Sequence, residues 1–266
     1  MEDAITVREA ELDDQPVVWR HADGGDILYL HGAPTSSRDW VRFLEQTGGV
    51  APDLPGFGRS GKRADRDFTM HGLATFVGRF LEMLELHEVT LVVHDWGAAG
   101  LLWAMREPDR VRKLVVINAV PLFAHYRWHR AARIWRTPLL GELAMGVTTR
   151  GTLRRALRSS DGAPPREEQI DAILADFDVG TQRAMLRLYR DADPQALGRA
   201  GLGLSDITCP SLIVWGDRDP YIPASFAEDY GHALGGTSEI SHFPGGGHWP
   251  WLDAPQIIDS VVSYVR

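Results

Sequence analysis

The chain has 266 residues, of which 44% are hydrophobic and 24% charged, and these values fit one large α/β domain with an inserted subdomain. Its formal net charge of −8 gives no overall attraction to nucleic acid or to anionic membranes, so neither is an expected partner. Cys209 is the only cysteine, which excludes an intrachain disulfide and a metal site built on several thiolates. The chain begins without the pattern of a signal peptide and has no apolar run as long as a membrane span, so a cytoplasmic protein is expected.

The first half of the chain alternates segments typical of strands with segments typical of helices. Strands are predicted at 5–7, 17–20, 26–30, 91–95 and 113–118, the first two as an antiparallel pair. Helices are predicted at about 36–45, 70–84 and 97–106, with a loop rich in glycine and proline over 53–61. The alternation of strand and helix predicts a parallel sheet with helices on both faces.

Strand patterns vanish between about Pro121 and Ser205, where helical spacing takes over, and this change predicts an inserted helical cap. The sheet pattern then resumes with strands at 211–215 and 240–243, helices at about 224–234 and 257–265, and a glycine-rich loop between the last strand and helix. We therefore predict a core domain made of residues 1–120 and 206–266, and a cap subdomain over 121–205.

The predicted cap carries a basic segment on an otherwise acidic chain. Between residues 127 and 158 the only acid is Glu142, against eight arginines at positions 127, 130, 133, 136, 150, 154, 155 and 158. A solvated helix face whose arginine stems cover apolar surface is the favoured interpretation. A channel lining or a partner surface is the alternative.

Three polar side chains lie just beyond predicted strand ends, in the chain order Asp95, Asp219, His248. Asp95 ends a run of apolar β-branched residues and is followed by small residues that let a helix pack closely behind the strand. An aspartate that merely caps this helix is the plainer alternative. Asp217 lies in the same loop as Asp219 and competes with it for any role.

Five motifs of this chain together resemble the α/β-hydrolase superfamily along nearly the whole length. They are His31-Gly-Ala-Pro-Thr-Ser-Ser37, Asp53-Leu-Pro-Gly-Phe-Gly58, Val93-His-Asp-Trp-Gly97, Gly216-Asp-Arg-Asp219 and Gly247-His248. Within that superfamily they are similar to the haloalkane dehalogenase and epoxide hydrolase branch, whose nucleophile is an aspartate. The resemblance implies the α/β-hydrolase fold: a mostly parallel central sheet flanked by helices, with an inserted helical cap.

The resemblance also implies a role for each matching residue. Asp95 corresponds to the nucleophile and His248 to the base, and the family spacing favours Asp219 over Asp217 as the acid. The backbone N–H groups of Trp96 and Ala33 correspond to the oxyanion hole. A carboxylate suits attack on sp³ carbon because it is already anionic at neutral pH and needs no base to activate it.

The leaving group stays open between a halide and an epoxide oxygen. In dehalogenases an indole N–H such as that of Trp96 holds the halide, with a second donor from a cap tryptophan or from an asparagine at the position that Ala33 occupies here. Trp128 and Trp135 are candidates for that second donor, although packing in the core is the commoner fate of such residues. Epoxide hydrolases use cap tyrosines as acids, and Tyr126 and Tyr189 are available.

The motif Val-Val-x-Asp-Trp-Gly resembles a dehalogenase more than an epoxide hydrolase, so a haloalkane dehalogenase-like hydrolase of small apolar alkyl substrates is the first hypothesis. An epoxide hydrolase is the second, and a non-catalytic small-molecule receptor on the same fold is the third. No Gly-x-Ser-x-Gly motif is present, and His125 and His129 lack the acid of a zinc-binding helix. We expect no cofactor and no metal. The sequence does not indicate which oligomeric state the protein has.

Overall fold

The structure is a computed structural model that describes residues 5–157 and 165–266; Arg158 of the basic segment therefore lies outside the described residues. A single eight-stranded sheet runs through the described part of the chain. Its strands are β1 (Thr6–Glu11), β2 (Pro16–Ala22), β3 (Ile27–Leu30), β4 (Gly49–Pro52), β5 (Val89–Asp95), β6 (Val111–Ala119), β7 (Ser211–Gly216) and β8 (Ser238–Phe243).

The strands lie in the order β1-β2-β4-β3-β5-β6-β7-β8. β2 pairs antiparallel with β1 and with β4, and all other neighbours pair parallel. The predicted parallel sheet with an opening antiparallel pair is confirmed. Because β5 and β6 are central, the carboxyl ends of β3, β5, β6 and β7 meet at one edge of the sheet, where open α/β sheets place their ligands.

Strand β4 was not predicted from the sequence. It has four residues, begins with glycine and ends with proline, and these are the residue types that strands use least. All four residues are buried, and β4 is held between β2 and β3. Tertiary pairing, not local propensity, therefore produces this strand.

Twelve helices accompany the sheet in the described residues. They are α1 (Val41–Thr47), α2 (Met70–Met83), α3 (Ala99–Ala104), α4 (Arg130–Arg136), α5 (Leu140–Gly146), α6 (Arg150–Ala156), α7 (Glu167–Asp176), α8 (Val179–Asp191), α9 (Pro194–Ala200), α10 (Phe226–Ala233), α11 (Pro250–Asp253) and α12 (Gln256–Val265). The predicted helices are present. Short 3₁₀ turns at Ser37–Trp40 and Trp96–Ala98 precede α1 and α3, so the predicted starts of these two helices fall in the 3₁₀ turns. None of these helices is long and apolar enough to cross a membrane.

The core has two layers, one on each face of the sheet. Along β5, Leu91 and Val93 pack into the layer that contains α2 and α3, while Val92 packs into the layer that contains α1 and α12. Side chains on a strand alternate between faces, so a continuous apolar run is what a strand covered on both faces requires. Each such buried side chain contributes about 1.5–3 kcal/mol of hydrophobic free energy.

The segment predicted as the cap is helical in its described part. Helices α4 to α9 all lie between β6 and β7 in the chain, and α4 and α5 both pack against α8. The division into core and cap subdomains stays a prediction.

Candidate active site

Asp95 lies at the sharp turn between β5 and the following helix. Its backbone has φ +48° and ψ −120°, a conformation that residues other than glycine rarely adopt. The turn is held by close packing behind it, because a side chain at Gly97 or Gly100 would meet Leu30 on the neighbouring strand. The buried carboxylate is thereby fixed at the carboxyl end of the sheet.

The loop after β3 supplies a hydrogen-bond donor to this carboxylate. The backbone N–H of Ala33 donates to Asp95 Oδ2 at 2.9 Å. Gly32 lies so close to the carboxylate that any side chain there would collide with it. Trp96, the other predicted oxyanion donor, directly follows Asp95 and begins the 3₁₀ turn.

His31 fixes the conformation of the loop that carries Ala33. The backbone N–H of Leu54 donates to His31 Nε2 at 2.9 Å, so the proton is on Nδ1, which lies 2.6 Å from the carbonyl oxygen of Gly32. Burial lowers the pKa of His31, which keeps this imidazole neutral. The hydrogen bond from Leu54 to His31 thus connects the motif that begins at His31 with the motif that begins at Asp53.

His248 connects Asp95 to Asp219. Its Nε2 lies 3.8 Å from Asp95 Oδ1, and its Nδ1 donates to Asp219 Oδ2 at 2.7 Å. Asp217, the competing acid, points elsewhere and forms a 2.7 Å hydrogen bond with the half-exposed His242. The structure therefore brings Asp95, His248 and Asp219 together and leaves Asp217 outside the cluster.

Asn118 is a member of this cluster that the sequence analysis missed. Its Nδ2 donates to Asp219 Oδ2 at 2.8 Å, and its Oδ1 accepts from the backbone N–H of Gly216 at 2.9 Å. Asp219 Oδ1 accepts two further backbone N–H groups, from Tyr221 at 2.7 Å and Ile222 at 3.1 Å. A polar residue at the carboxyl end of a buried strand was the signal that would have identified Asn118.

His94 fixes the backbone of His248. Its Nε2 lies 2.8 Å from the carbonyl oxygen of His248, so this ring nitrogen carries the proton and donates. Burial, together with the nearby His248, lowers the pKa of His94 to about 3, so the ring is neutral at any physiological pH. His94 acts on the site only through His248.

The electrostatics of the cluster favour a charged His248. Burial alone lowers the pKa of His248, but the charges of Asp219 and Asp95 and the hydrogen bond to Asp219 outweigh it and raise this pKa to about 10. The resting site therefore holds an imidazolium between two carboxylates. Removal of either negative charge would lower the pKa of His248.

Asp95 and His248 open into a cavity of about 230 Å³ between the sheet edge and the helices α4, α5, α6 and α8. Its lining is largely apolar and includes Ala33, Trp128, Trp135, Tyr126 and Tyr189. This volume lies below the range of about 300–1,000 Å³ that is usual for small-molecule sites. Only a small ligand fits beside the carboxylate.

The indole N–H of Trp128, one of the two candidates for a second halide donor, already has a hydrogen-bond partner in the structure. Trp128 precedes α4, so it does not share a helical face with Trp135, and its indole N–H donates to the carbonyl oxygen of Ala192 at 2.8 Å. Arg136 donates to the same carbonyl. Trp135 does line the cavity, and its indole N–H forms no hydrogen bond within the described residues.

The two cap tyrosines belong to an aromatic cluster built around Trp96 and Trp128. Trp96 is fully buried and stacks on Trp128 with ring centroids 5.5 Å apart, and the Tyr189 ring contacts the Trp96 ring edge-on at 4.8 Å. The Tyr126 ring contacts Trp128 at 4.9 Å. Burial and the charge of Asp95 raise the pKa of Tyr189, and burial likewise raises that of Tyr126, so both phenols are protonated.

Comparisons with known proteins agree with this architecture. A family model for the alpha/beta hydrolase fold matches residues 27–255. The chain belongs to this family. The hydrolase is 33% identical over 265 residues to a haloalkane dehalogenase of Mycolicibacterium paratuberculosis, with 93% of this chain and 80% of that protein covered. It is 26% identical to epoxide hydrolase 2 of Caenorhabditis elegans, with 90% of this chain and 72% of that protein covered.

A crystal structure of the haloalkane dehalogenase DbeA from Bradyrhizobium elkani is similar to the hydrolase with a TM-score of 0.83 at 26% identity, covering 98% of this chain and 97% of that one. The fold and the membership of the branch that contains haloalkane dehalogenases and epoxide hydrolases, both expected from the motifs, are confirmed. The chain is thus an α/β-fold hydrolase similar to haloalkane dehalogenases.

The two histidines considered for a metal serve separate purposes in this hydrolase. His125 Nε2 forms a 2.9 Å hydrogen bond with Asp229, and His129 Nδ1 accepts the backbone N–H of Ala132 at the start of α4. Within the described residues, no group of three or more potential ligands is arranged to hold a metal ion.

Asp39 is a second carboxyl group near the site that the sequence analysis missed. It is half-buried in the turn before α1, and its Oδ2 lies 2.6 Å from the hydroxyl of Thr35, in the loop that carries Ala33. Burial raises the pKa of Asp39 to about 7, against the opposing effect of the hydrogen bond that the Thr35 hydroxyl donates to it. A folded-state pKa above the unfolded one means that this contribution to stability is full below about pH 4 and is lost as the pH rises through about 7.

Replacing Asp39 with Asn removes this ionisation while keeping the shape of the side chain. We expect Asp39→Asn to raise the free energy of unfolding at pH 8 by about 1–3 kcal/mol relative to wild type, and to change it little at about pH 4. Urea unfolding at the two pH values measures the difference. The exposed carboxylate of Asp109 provides the control variant Asp109→Asn. An equal effect of Asp39→Asn at both pH values would contradict the shifted ionisation.

Proposed function

We propose that this hydrolase cleaves small apolar alkyl substrates through a covalent ester on Asp95, with a haloalkane as the first substrate class. One observation carries the proposal: a buried carboxylate on a strained turn, held by the Ala33 N–H, faces a small apolar cavity beside the His248–Asp219 pair. Asp95 as nucleophile, His248 as base, Asp219 as acid, and Ala33 with Trp96 as oxyanion donors are parts of this proposal.

In the first step Asp95 Oδ1 attacks the carbon that bears the halogen. The carbon–halogen bond breaks as the carbon–oxygen bond forms, and the halide leaves with the bonding electron pair. Oδ2 is the oxygen held by the Ala33 N–H, which leaves Oδ1 for the attack. The apolar cavity favours this step because it strips water from the attacking carboxylate.

In the second step water attacks the carbonyl carbon of the ester. Esterification removes the negative charge of Asp95, one of the groups that raise the pKa of His248, so the imidazolium loses its Nε2 proton to solvent water more readily and becomes a free base. Nε2 then takes the proton of the attacking water, while Asp219 stabilises the imidazolium that forms. The Ala33 and Trp96 amides donate hydrogen bonds to the oxyanion. As the oxyanion collapses, the ester C–O bond breaks and His248 gives its proton to the leaving alcohol oxygen. The new Asp95 carboxyl group then transfers its proton to Nε2, which regenerates the carboxylate and the resting imidazolium.

A halide is supported as the first leaving group by the Trp96 side chain. Its indole N–H is buried next to Asp95 and has no hydrogen-bond partner of normal geometry among the described residues. An unpaired buried donor is costly unless a ligand satisfies it. Relatives named haloalkane dehalogenase, at 33% and 30% identity over most of this chain, support the same choice.

An epoxide is the second candidate, and a specific observation favours it. The indole N–H of Trp128 is bound to Ala192, and Ala33 offers no side-chain amide, so two expected sources of a second halide donor are missing. Tyr126 and Tyr189 instead line the cavity with protonated phenols close to Asp95. A phenol there would protonate the oxygen of an opening epoxide ring.

One experiment tests both the covalent step and the leaving group. Excess enzyme is mixed with a short 1-bromoalkane or with a 1,2-epoxide of the same chain length in H₂¹⁸O, and a single turnover is followed. A covalent mechanism places ¹⁸O in the peptide that contains Asp95 and yields product with unlabelled oxygen from the first turnover. Labelled product with an unlabelled Asp95 would exclude the ester.

The same samples separate the substrate classes. Release of bromide with little diol supports the dehalogenase, and diol formation without bromide release supports the epoxide hydrolase. Binding of both compounds without turnover would instead indicate the receptor that was the third hypothesis. Asp95→Asn is the control variant, since it removes the nucleophile and should give neither label nor product.

A further inference from the structure

The basic segment of the cap coincides with the largest concentration of exposed apolar side chains on the described surface. The described surface as a whole exposes nine large hydrophobic residues. Five of them lie within 14 positions of the chain: Ile134, Leu139, Leu140, Leu143 and Val147. Between residues 127 and 157 the chain has seven arginines and only one acid. Monomeric proteins rarely expose such clusters without a partner.

The apolar residues form one face of α5. Leu140, Leu143 and Val147 are spaced by three and four positions and are 53%, 65% and 64% exposed. The opposite side of the same helix is buried through Gly141 and Met145. Apolar residues therefore lie on both the buried side and the solvent-exposed side of α5, whereas an ordinary surface helix has a polar outer face.

Unpaired positive charge lies on the neighbouring helix. α4 packs against α5, and its arginines Arg130 and Arg133 are exposed and form no ion pair with any described residue. The single acid, Glu142, is neutralised by a two-pronged ion pair with Arg190, at 2.8 Å for each bond. The surface thus offers leucine side chains and guanidinium groups without ion-pair partners among the described residues, and the one acid of the segment is already paired.

We propose that the outer face of α4 and α5 is a docking surface for bilayers that contain anionic lipid. Exposed leucines insert at the boundary between headgroups and acyl chains, and arginines beside them pair with lipid phosphates, which is the combination that peripheral membrane helices use. The overall charge of −8 does not oppose this, because charge at distances beyond about 10 Å is screened at physiological salt.

The inner faces of the same helices line the cavity that contains Asp95, through Ala131 and Trp135 of α4 and Ala144 and Met145 of α5. Docking would hold these helices against the bilayer, where apolar molecules accumulate. This consequence rests on the proposed function, but the docking itself does not. A binding assay without substrate therefore tests the surface independently of the chemistry.

The full chain is sedimented with vesicles of phosphatidylcholine alone or with about 30% phosphatidylglycerol. We expect the apparent affinity for the anionic vesicles to exceed that for the neutral ones by about tenfold or more, and to fall as NaCl rises from about 0.05 M to about 0.5 M. Leu140→Ser/Leu143→Ser and Arg130→Ser/Arg133→Ser should each weaken binding by about tenfold. All four residues are exposed, so both variants should fold.

Matched controls use exposed residues elsewhere on the hydrolase. Val7→Ser/Leu202→Ser removes two exposed apolar side chains, and Arg8→Ser/Arg42→Ser removes two exposed arginines; neither pair should change vesicle binding. Equal binding to both kinds of vesicle, or equal loss in test and control variants, would overturn the proposal. A dimer in analytical ultracentrifugation that Leu140→Ser/Leu143→Ser dissociates, without vesicle binding by wild type, would overturn it as well and assign the face to a second copy.

Discussion

The variant His248→Gln is expected to form the ester on Asp95 and then to stop. Alkylation needs only the carboxylate, whereas hydrolysis needs a group that removes a proton from water, and Gln cannot do so. We expect steady-state turnover to fall by about 10²–10⁴-fold. Intact mass spectrometry after incubation with substrate should show one covalent adduct per chain, on the peptide that contains Asp95.

The mass of this adduct also identifies the leaving group. A haloalkane leaves only its alkyl group on Asp95, because the halide departs, whereas an epoxide adds its whole mass because the ring oxygen stays attached. The double variant Asp95→Asn/His248→Gln should carry no adduct. His242→Gln, which alters a histidine outside the cavity, should turn over normally. Full consumption of substrate by an unmodified His248→Gln protein would contradict the ester mechanism.

The sequence predicted the elements whose signal is local. The apolar run before Asp95, the small residues after it and the amphipathic spacing of α2 and α12 each depend on near neighbours in the chain, and all were found close to their predicted bounds. The central part of the sheet follows from the same signals, because buried parallel strands are recognisable by composition. β4 was missed because its stability comes from two strands that pair with it across the sheet.

In the candidate site, too, some residues could be predicted from local motifs and some contacts could not. The motifs bring Asp95, Asp219 and His248 to one sheet edge, and the structure has them in contact. What the sequence could not predict is where each cap side chain directs its polar atom. The acceptor of the Trp128 indole is 64 positions away, at the end of α8, and no periodicity identifies such a pairing. Asn118 differs, because its position at the carboxyl end of a buried strand was a local signal that could have identified it; only its partner Asp219, 101 positions away, is invisible to periodicity.

Asp219 is the proposed acid of the cluster, and its charge acts directly on His248. Asp219 accepts four hydrogen bonds: one from the His248 imidazole, one from Asn118 and two from backbone N–H groups. Its charge is the largest of the effects that raise the pKa of His248. Asp219→Asn keeps the shape but removes this charge and no longer enforces the tautomer with the proton on Nδ1. By analogy with the corresponding change in serine hydrolases, we expect the hydrolytic step to slow by about 10³–10⁴-fold.

The matched control is Asp217→Asn, two positions away in the same loop. Asp217 contacts His242 and does not reach His248, so this variant should retain activity within about twofold, because it disturbs only a partly exposed ion pair. Rapid-quench measurement of halide or diol release, followed by the amount of ester that remains, separates the two steps in each variant. Asp219→Asn should accumulate ester and Asp217→Asn should not. If Asp217→Asn were the damaging change, the hydrogen bond between Asp219 and His248 would not be the one that supports catalysis, and the acid would have to be reassigned.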